Sequence, residues 1–492
     1  MSARSEGTAG APVLPPPAAA APTRLSPGDG APAAPPPMGL AEQRAFMAAF
    51  DPYRDLQPEE TRRLYVDREN GPLRRIHRQI RLSPDLSRLR LALIGSRGAG
   101  KSSELRRLAD LLAADAEAEV VPLFIDIASE LPPQASTAAW LPLVAAAVRA
   151  ARVDWGEPVP DAPPAGLDAL GVPAALFGRL VPALGVVGAV LRLGSLGLGA
   201  AGQAAPAAGL SAAVEGLRGA GDALSAVQEA TAAAQASPPR GRALQPVIDG
   251  IRAELEALEA ACGRRPCLLL DGLDKRPTVE EVFAALDDAA LLHALPCGIV
   301  LTGPVQLGRD PRVAAQDVPG RFHPLHLPTL RVVDREGNDQ TEGQSALQQL
   351  FQRRWDEAGL GSARFQPGDL ARLARGSSGI PRAFLGLVQG AFLAATDRGA
   401  RAVEGVDVDA ALKEARHRME RTLDQRTAEV LARVLEDGLP PSGEHAELAM
   451  NNLIIAHANG EVWHRPNELL VPFVQGWAAA RGQRRGAGGP TG

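Results

Sequence analysis

Residues 89–105 read LRLALIGSRGAGKSSEL, and the fold of the chain follows from this stretch. The apolar run Leu89–Ile94 has the character of a buried strand, and Lys101–Leu112 that of an amphipathic helix. Between them Gly95-Ser96-Arg97-Gly98-Ala99-Gly100-Lys101-Ser102 satisfies G-x-x-x-x-G-K-[ST] at every fixed position. Glycines let the backbone turn tightly, so that successive amides converge on an anion. Lys101 then reaches the β- and γ-phosphates as a point charge, and the Ser102 hydroxyl is placed to ligate magnesium. Ser103 continues the set into the helix, whose positive N-terminal end faces the same anion. Lysine is rare in this chain (Lys101, Lys275 and Lys413 alone), so a lysine inside the loop carries weight.

A phosphate loop needs acids opposite it. Residues 267–275, CLLLDGLDK, form an apolar strand that ends in Asp271, the expected magnesium ligand. Asp274 is the candidate for positioning the attacking water, with an N-cap or surface turn as the competing reading. A strict acidic pair would carry Asp or Glu at 272, where this chain has Gly272. The next apolar strand, in GIVLTGP (298–304), ends on Thr302, which either contacts the γ-phosphate or simply closes a strand. In SSGIPRAFL (377–385), Gly379, Pro381 and Arg382 open a helix, with Pro suited to its first turn and Arg382 placed to sense the γ-phosphate. Arg309, Arg312 and Arg321 are open alternatives for a finger offered to a neighbouring subunit.

Further strands at Val120–Ile127 and Cys267–Leu270 alternate with helices at 245–261 and Val279–Leu295, which argues for an α/β parallel sheet. The fold class expected is therefore an α/β P-loop NTPase core with a helical lid subdomain and a C-terminal winged helix. Residues 1–40, with ten prolines, are expected to be a disordered tail. The core takes 41–330, interrupted by an Ala-, Gly- and Leu-rich excursion at about 130–240. The lid takes 331–420, helical after Gly361 and continuing as a helix over Asp407–Leu435. The winged helix takes 421–478, with Leu453–Ala458 and Glu461–Arg465 flanking a hairpin turn at Asn459-Gly460. Residues 479–492 read as a loose basic tail. The recognition helix expected near Gly443–Asn452 bears Glu444 and Glu447 and no arginine, which disfavours phosphate.

Composition narrows the function classes. A net charge of −5 excludes a global basic field for nucleic acid or acidic lipid. Cys262, Cys267 and Cys297 are too few and too irregular for a disulfide framework or a zinc site. His457, His464, His323 and His326 lack further ligands in range and read as structural side chains. Leu180–Leu191 is strongly apolar but bracketed by Arg179 and Arg192, shorter than the roughly 20 residues a span requires. With no secretory signal, a cytoplasmic location is expected.

The order of parts (Tyr65–Asp67 as a lead-in, GSRGAGKSSEL, LLLDGLDK, a strand ending in LTG, GIPR, a winged helix) resembles bacterial STAND and AAA+-like ATPases, including the origin-recognition and transposition-helper branches. The resemblance covers roughly residues 60–130 and 245–470. It implies ATP and Mg2+ as cofactors, a lid carrying a GxPR element, and switching between ATP and ADP states. Gly272 departs from the pattern, and no fused effector or repeat domain is recognisable. The leading expectation is a Mg2+-dependent ATPase, slow if Gly272 matters, acting as a conformational switch through a protein partner or self-association. A helper ATPase that puts its winged helix on DNA is one alternative. A membrane-associated ATPase resembling the KAP group, using the apolar insert, is the other.

Overall fold

In the computed structural model, which describes residues 39–487 apart from 55, 57, 69–70, 128–136, 158–162, 166, 168–243, 277, 287–289, 309–321, 362–363, 440–445 and 460, the run entering the loop is strand β1 (Arg90–Gly95). Helices α1 (Leu40–Ala49), α2 (Pro58–Leu64) and α3 (Leu73–Leu82) precede it. After it come α4 (Lys101–Ala114), β2 (Val120–Asp126), α5 (Leu141–Asp154), α6 (Gln245–Cys262) and β3 (Arg265–Asp271). Next are α7 (Val279–Leu286), α8 (Ala290–His293), β4 (Gly298–Pro304) and β5 (His323–His326). All five strands are parallel, in the order β2-β3-β4-β1-β5. The additional strand β4 thus stands between the strand feeding the phosphate loop and the strand bearing Asp271, as the α/β P-loop NTPase reading requires.

Strand periodicity builds the two faces. Leu91 and Leu93 join Ile76 and Ile80 of α3 and Leu105 and Leu108 of α4 on one side. Ala92 and Ile94 join α5, α6 and α7 on the other. Burial on both faces explains why the strands read as continuous apolar runs. Pro122 lies on β2, an edge strand, where a missing N–H is tolerated. Arg90, buried in β1, donates to the carbonyls of Leu292, Leu295 and Cys297 and so closes the C-terminal end of α8.

Several boundaries differ from the sequence reading. Residues 137–154, placed at the start of the excursion, cover the sheet, and α5 is pinned to α6 by Arg149 and Arg152 on the buried Glu254. Its small alanine side chains permit close packing against α6. Leu180–Leu191 lies outside the described residues, and among those described no helix is long and apolar enough to cross a membrane. Of the helix expected over Val279–Leu295 the structure describes α7 and α8, with residues 287–289 outside the described residues and the helix ending at His293.

The helices of the lid begin earlier than expected, with α9 (Thr341–Glu357), followed by α10 (Pro367–Gly376), α11 (Pro381–Asp397) and α12 (Gly405–Glu420). Helix α1 belongs to their core: Phe46 stacks on Phe392 at 4.0 Å and on Phe50 at 4.5 Å, and Phe50 meets Phe351 at 5.1 Å. The expected helix over 407–435 breaks after Glu420, and α13 (Gln425–Asp437) restarts on Asp424, whose carboxylate caps Thr427 N at 2.7 Å.

Helix α14 (Ala446–Met450), the antiparallel hairpin β6 (Ile454–Asn459) and β7 (Glu461–Pro466), and α15 (Val471–Ala487) complete the chain. The start of the expected recognition helix and Gly460 of the turn lie outside the described residues. Where a loose tail was expected from 479, α15 continues to Ala487. This group packs its apolar side around Val305, just beyond β4.

His457 and His464, read as ordinary hairpin side chains, are each only 2% exposed, His457 on the hairpin face that meets the segment after β5 and His464, by register, on the opposite face. His457 stacks on Trp463 at 4.1 Å and its Nδ1 lies 3.3 Å from the Thr329 hydroxyl. Burial above all, then His464, Arg465, His326 and Arg331, lowers its pKa to about 3. Below the ordinary histidine pKa of about 6.5 the unfolded chain therefore binds a proton that the folded chain refuses, so stability falls between about pH 6.5 and 3. We expect His457 to contribute a loss of about 2 kcal/mol between pH 7 and pH 5. Urea midpoints at both pH values should show His457→Gln losing less than the parent by that amount; equal pH dependence in the two proteins would refute the assignment.

Candidate nucleotide-binding site

The loop between β1 and α4 has little side-chain bulk to hold its own shape, and its carbonyls show what holds it. Lys101 Nζ donates to Gly95 O and Ser96 O, each at 2.8 Å. Arg97 O accepts from Asn452 Nδ2 at 3.0 Å, and Gly98 O from the backbone N–H of Arg382 at 3.3 Å. Ala99 O accepts from the Arg68 guanidinium, and Gly100 O from Glu104 N at 3.0 Å. A peptide carbonyl and its amide point opposite ways. Anchoring the Arg97 and Ala99 carbonyls outward therefore turns the Gly98 and Gly100 amides towards the cavity. Gly98 has φ +77°, and an added Cβ would stand 2.7 Å from Arg382 Cβ, so the lid approaches too closely for any side chain there.

The acids face this loop across the sheet's C-terminal edge. Asp271 is fully buried at the end of β3 and accepts from the Thr302 hydroxyl at 2.9 Å. The same hydroxyl accepts from Gly272 N at 2.8 Å. Thr302 therefore lies behind the acids and organises them, with no exposed surface of its own. Gly272 has φ +102°, a left-handed conformation that L side chains rarely adopt, which is why the second acid of a strict pair cannot stand there. Asp274, in the short turn Leu273–Lys275, pairs with Lys101 at 2.8 Å. Arg97 Nε donates to Asp274 O at 3.1 Å, so the side chain of the loop's own arginine steadies that turn.

Electrostatics separate the two carboxyls. Burial, reinforced by Asp274 and Asp126, raises the pKa of Asp271 against the easing effect of Lys275 and Ser102. Burial also opposes ionisation of Asp274, but Lys101 and Lys275 outweigh it and hold that group below the usual carboxylate range. Asp271 Oδ2 is buried without a hydrogen-bond partner among the described residues. An unsatisfied carboxylate oxygen beside the Ser102 hydroxyl fits a Mg2+ ion, which takes oxygen ligands and draws most of its shell from phosphates and water. Among the described residues no group of three or more His, Cys, Asp or Glu is placed to hold a metal by itself.

A cavity of about 490 Å3 opens over this edge. Gly98, Gly100, Lys101, Ser102, Ser103 and Arg97 line its phosphate end, with Asp274 beside them. Pro381 and Arg382, at the start of α11, form its lid side, and the Arg382 guanidinium lies 5.7 Å from the Tyr53 ring centroid. Gly95, Ser96 and Ala99, of the same loop, are buried. Arg309, Arg312 and Arg321 lie outside the described residues.

Four contributions escaped the sequence reading. Tyr53, Arg54 and Leu64 bring the segment before β1 into the cavity wall. Arg68, one residue past the lead-in, bridges Ala99 O, Pro328 O at 2.9 Å and Glu104 at 3.4 Å. Asn452, in a left-handed turn at φ +57°, carries no local signal for a loop 355 positions away. Asp126, at the end of β2, also reaches the cavity.

The sequence matches no family model and no curated protein. Among solved structures the chain is similar to the ORC1 protein of Aeropyrum pernix in complex with DNA, at 15% identity and TM-score 0.39 over 87% of this chain and 98% of that one. It is similar to the ORC2 protein of Aeropyrum pernix with ADPNP and ADP, at 14% identity and TM-score 0.38, over 88% and 98%. It is also similar to Cdc6p from Pyrobaculum aerophilum, at 13% identity and TM-score 0.34, over 88% and 98%. At these values the likeness adds nothing to the chain's own strand order and phosphate loop, on which the fold assignment stands.

Thr302→Val should strand the buried Gly272 N–H and remove the donor to Asp271, lowering unfolding free energy by about 1–3 kcal/mol, whereas Thr302→Ser keeps both bonds. Denaturant titration of the two variants checks this; equal stabilities would mean that the hydroxyl organises nothing.

Proposed function

We propose that the chain is a Mg2+-dependent ATPase that works as a nucleotide-controlled conformational switch, acting through a protein partner or through self-association. The observation that supports this best is the set of outer anchors on the phosphate loop. Arg68 from just past the lead-in, Arg382 from the lid and Asn452 from the C-terminal group each hold one loop carbonyl. Any rearrangement of the loop around phosphate is felt by three separate parts of the chain, which is the coupling a switch requires.

The roles follow from the geometry. Lys101, paired with Asp274 without nucleotide, exchanges that partner for the phosphates when ATP enters, and the loop amides accept the remaining negative charge. Ser102 and Asp271 would hold Mg2+, which supplies charge neutralisation at the β- and γ-phosphate oxygens. Pro381 and Arg382 sit where a γ-phosphate sensor belongs, on the helix that touches Gly98. Helices α13 and α14, the hairpin and α15 serve as a winged helix used as an internal clamp. The burial of the inner face of the hairpin and the anchoring of Asn452 on the loop support that use over DNA binding.

Lys101→Ala should abolish ATP binding measured by calorimetry. Steady-state hydrolysis by the parent, with and without duplex DNA at low and moderate salt, then separates the roles. Slow turnover indifferent to DNA is expected; stimulation by DNA that fades as salt rises would replace the clamp with a DNA-directed role.

A further inference from the structure

Three acids, Asp126, Asp271 and Asp274, meet at the C-terminal edge of β2 and β3. Asp271 is spoken for by Thr302 and the metal position. Asp274 pairs with Lys101 at 2.8 Å until phosphate takes the lysine, and its Oδ1 lies 3.4 Å from the Thr302 hydroxyl that also holds Asp271. Position 272 is closed to an acid by its left-handed backbone. Asp126 and Asp274 are therefore the two acids placed to orient the attacking water.

Asp126 has the right placement. It ends β2 in direct register with Asp271, one strand spacing away, about 4.8 Å along the hydrogen-bonding direction. Its side chain is 14% exposed and lines the cavity with Lys101 and Ser102, whereas Asp271 is fully buried. Lys275 Nζ holds both of its oxygens, at 3.3 and 3.2 Å. Lysine occurs three times in the whole sequence, against arginine nearly everywhere else, and two of the three lysines line this one cavity. A compact, strongly hydrated ammonium on a flexible stem places its charge beside the carboxylate while staying partly in solvent, without the fixed bidentate geometry of a guanidinium.

We propose that Asp126 is the catalytic carboxylate that orients the attacking water, with Lys275 as its positioning residue; this rests on the ATPase reading above. The water oxygen forms a bond to the γ-phosphorus as the bond from that phosphorus to the β,γ-bridging oxygen breaks, and the bonding pair leaves with ADP. The proton lost by the water passes to the Asp126 carboxylate and from there to the inorganic phosphate released, so the carboxylate is regenerated.

The test compares full-length Asp126→Asn, Lys275→Met and Lys275→Arg with the parent, reading ATP affinity by calorimetry and kcat by phosphate release. Asp126→Asn should bind ATP within about threefold of the parent while kcat falls about 10²–10⁴-fold. Lys275→Met should lower kcat by less, with affinity held, and Lys275→Arg should recover part of that loss. Parent-like kcat in Asp126→Asn overturns the proposal and leaves the ATPase reading standing. Parent-like kcat in Lys275→Met removes the positioning role from Lys275. A parent that binds ATP and never turns it over fails the ATPase reading, and this proposal with it.

Discussion

Six consecutive carbonyls, from Gly95 to Gly100, each accept a hydrogen bond, and the rest of the molecule is arranged around that requirement. A segment with three glycines loses much conformational freedom on ordering and has few side chains to secure it. Its order must therefore come from donors outside it. Lys101 supplies two bonds from within, the first turn of α4 supplies one, and the residue just past the lead-in, the lid and the C-terminal group supply one each. Taking the carbonyls outward is also what turns amides inward, so the same bonds that stabilise the loop aim its amides at the cavity.

Charge at the site is balanced in pairs. Lys101 stands with Asp274 and Lys275 with Asp126, which leaves the deeply buried Asp271 with one oxygen unsatisfied. A buried carboxylate in that condition is costly unless a cation joins it. The arrangement explains why Asp271 is pushed up and Asp274 down although both are buried and belong to the same turn. It also gives Gly272 a structural reason. The sharp left-handed turn there lets Asp271 and Asp274 converge on Thr302, and the position of a second adjacent acid is given over to that turn.

What residues 89–105 and 267–275 determined alone was local: an apolar strand, a glycine turn of fixed spacing, a helix start, and a strand ending in an acid. Such features depend on backbone geometry over a few residues, so they are legible wherever the residues stand in order. The alternation of strands and helices carried the α/β class for the same reason; the roles proposed for Lys101 and Ser102 came from the loop's spacing, and that for Asp271 from its place at the end of an apolar strand.

Tertiary structure decided what faces what. Phe46 contributes to the core of the lid, although its helix precedes the sheet in the chain. Alanines of α5, which the sequence placed in the excursion at about 130–240, cover the sheet, and His457, legible only as a hairpin residue, lies buried beside Thr329. Thr302 turned out to organise the acids from behind because β4 stands beside β3. The anchors of the loop come from 31 positions upstream at Arg68 and 355 downstream at Asn452. No periodicity or spacing rule reaches across such separations, because the contact exists only once the sheet, the lid and the C-terminal group have packed and brought a donor to each carbonyl.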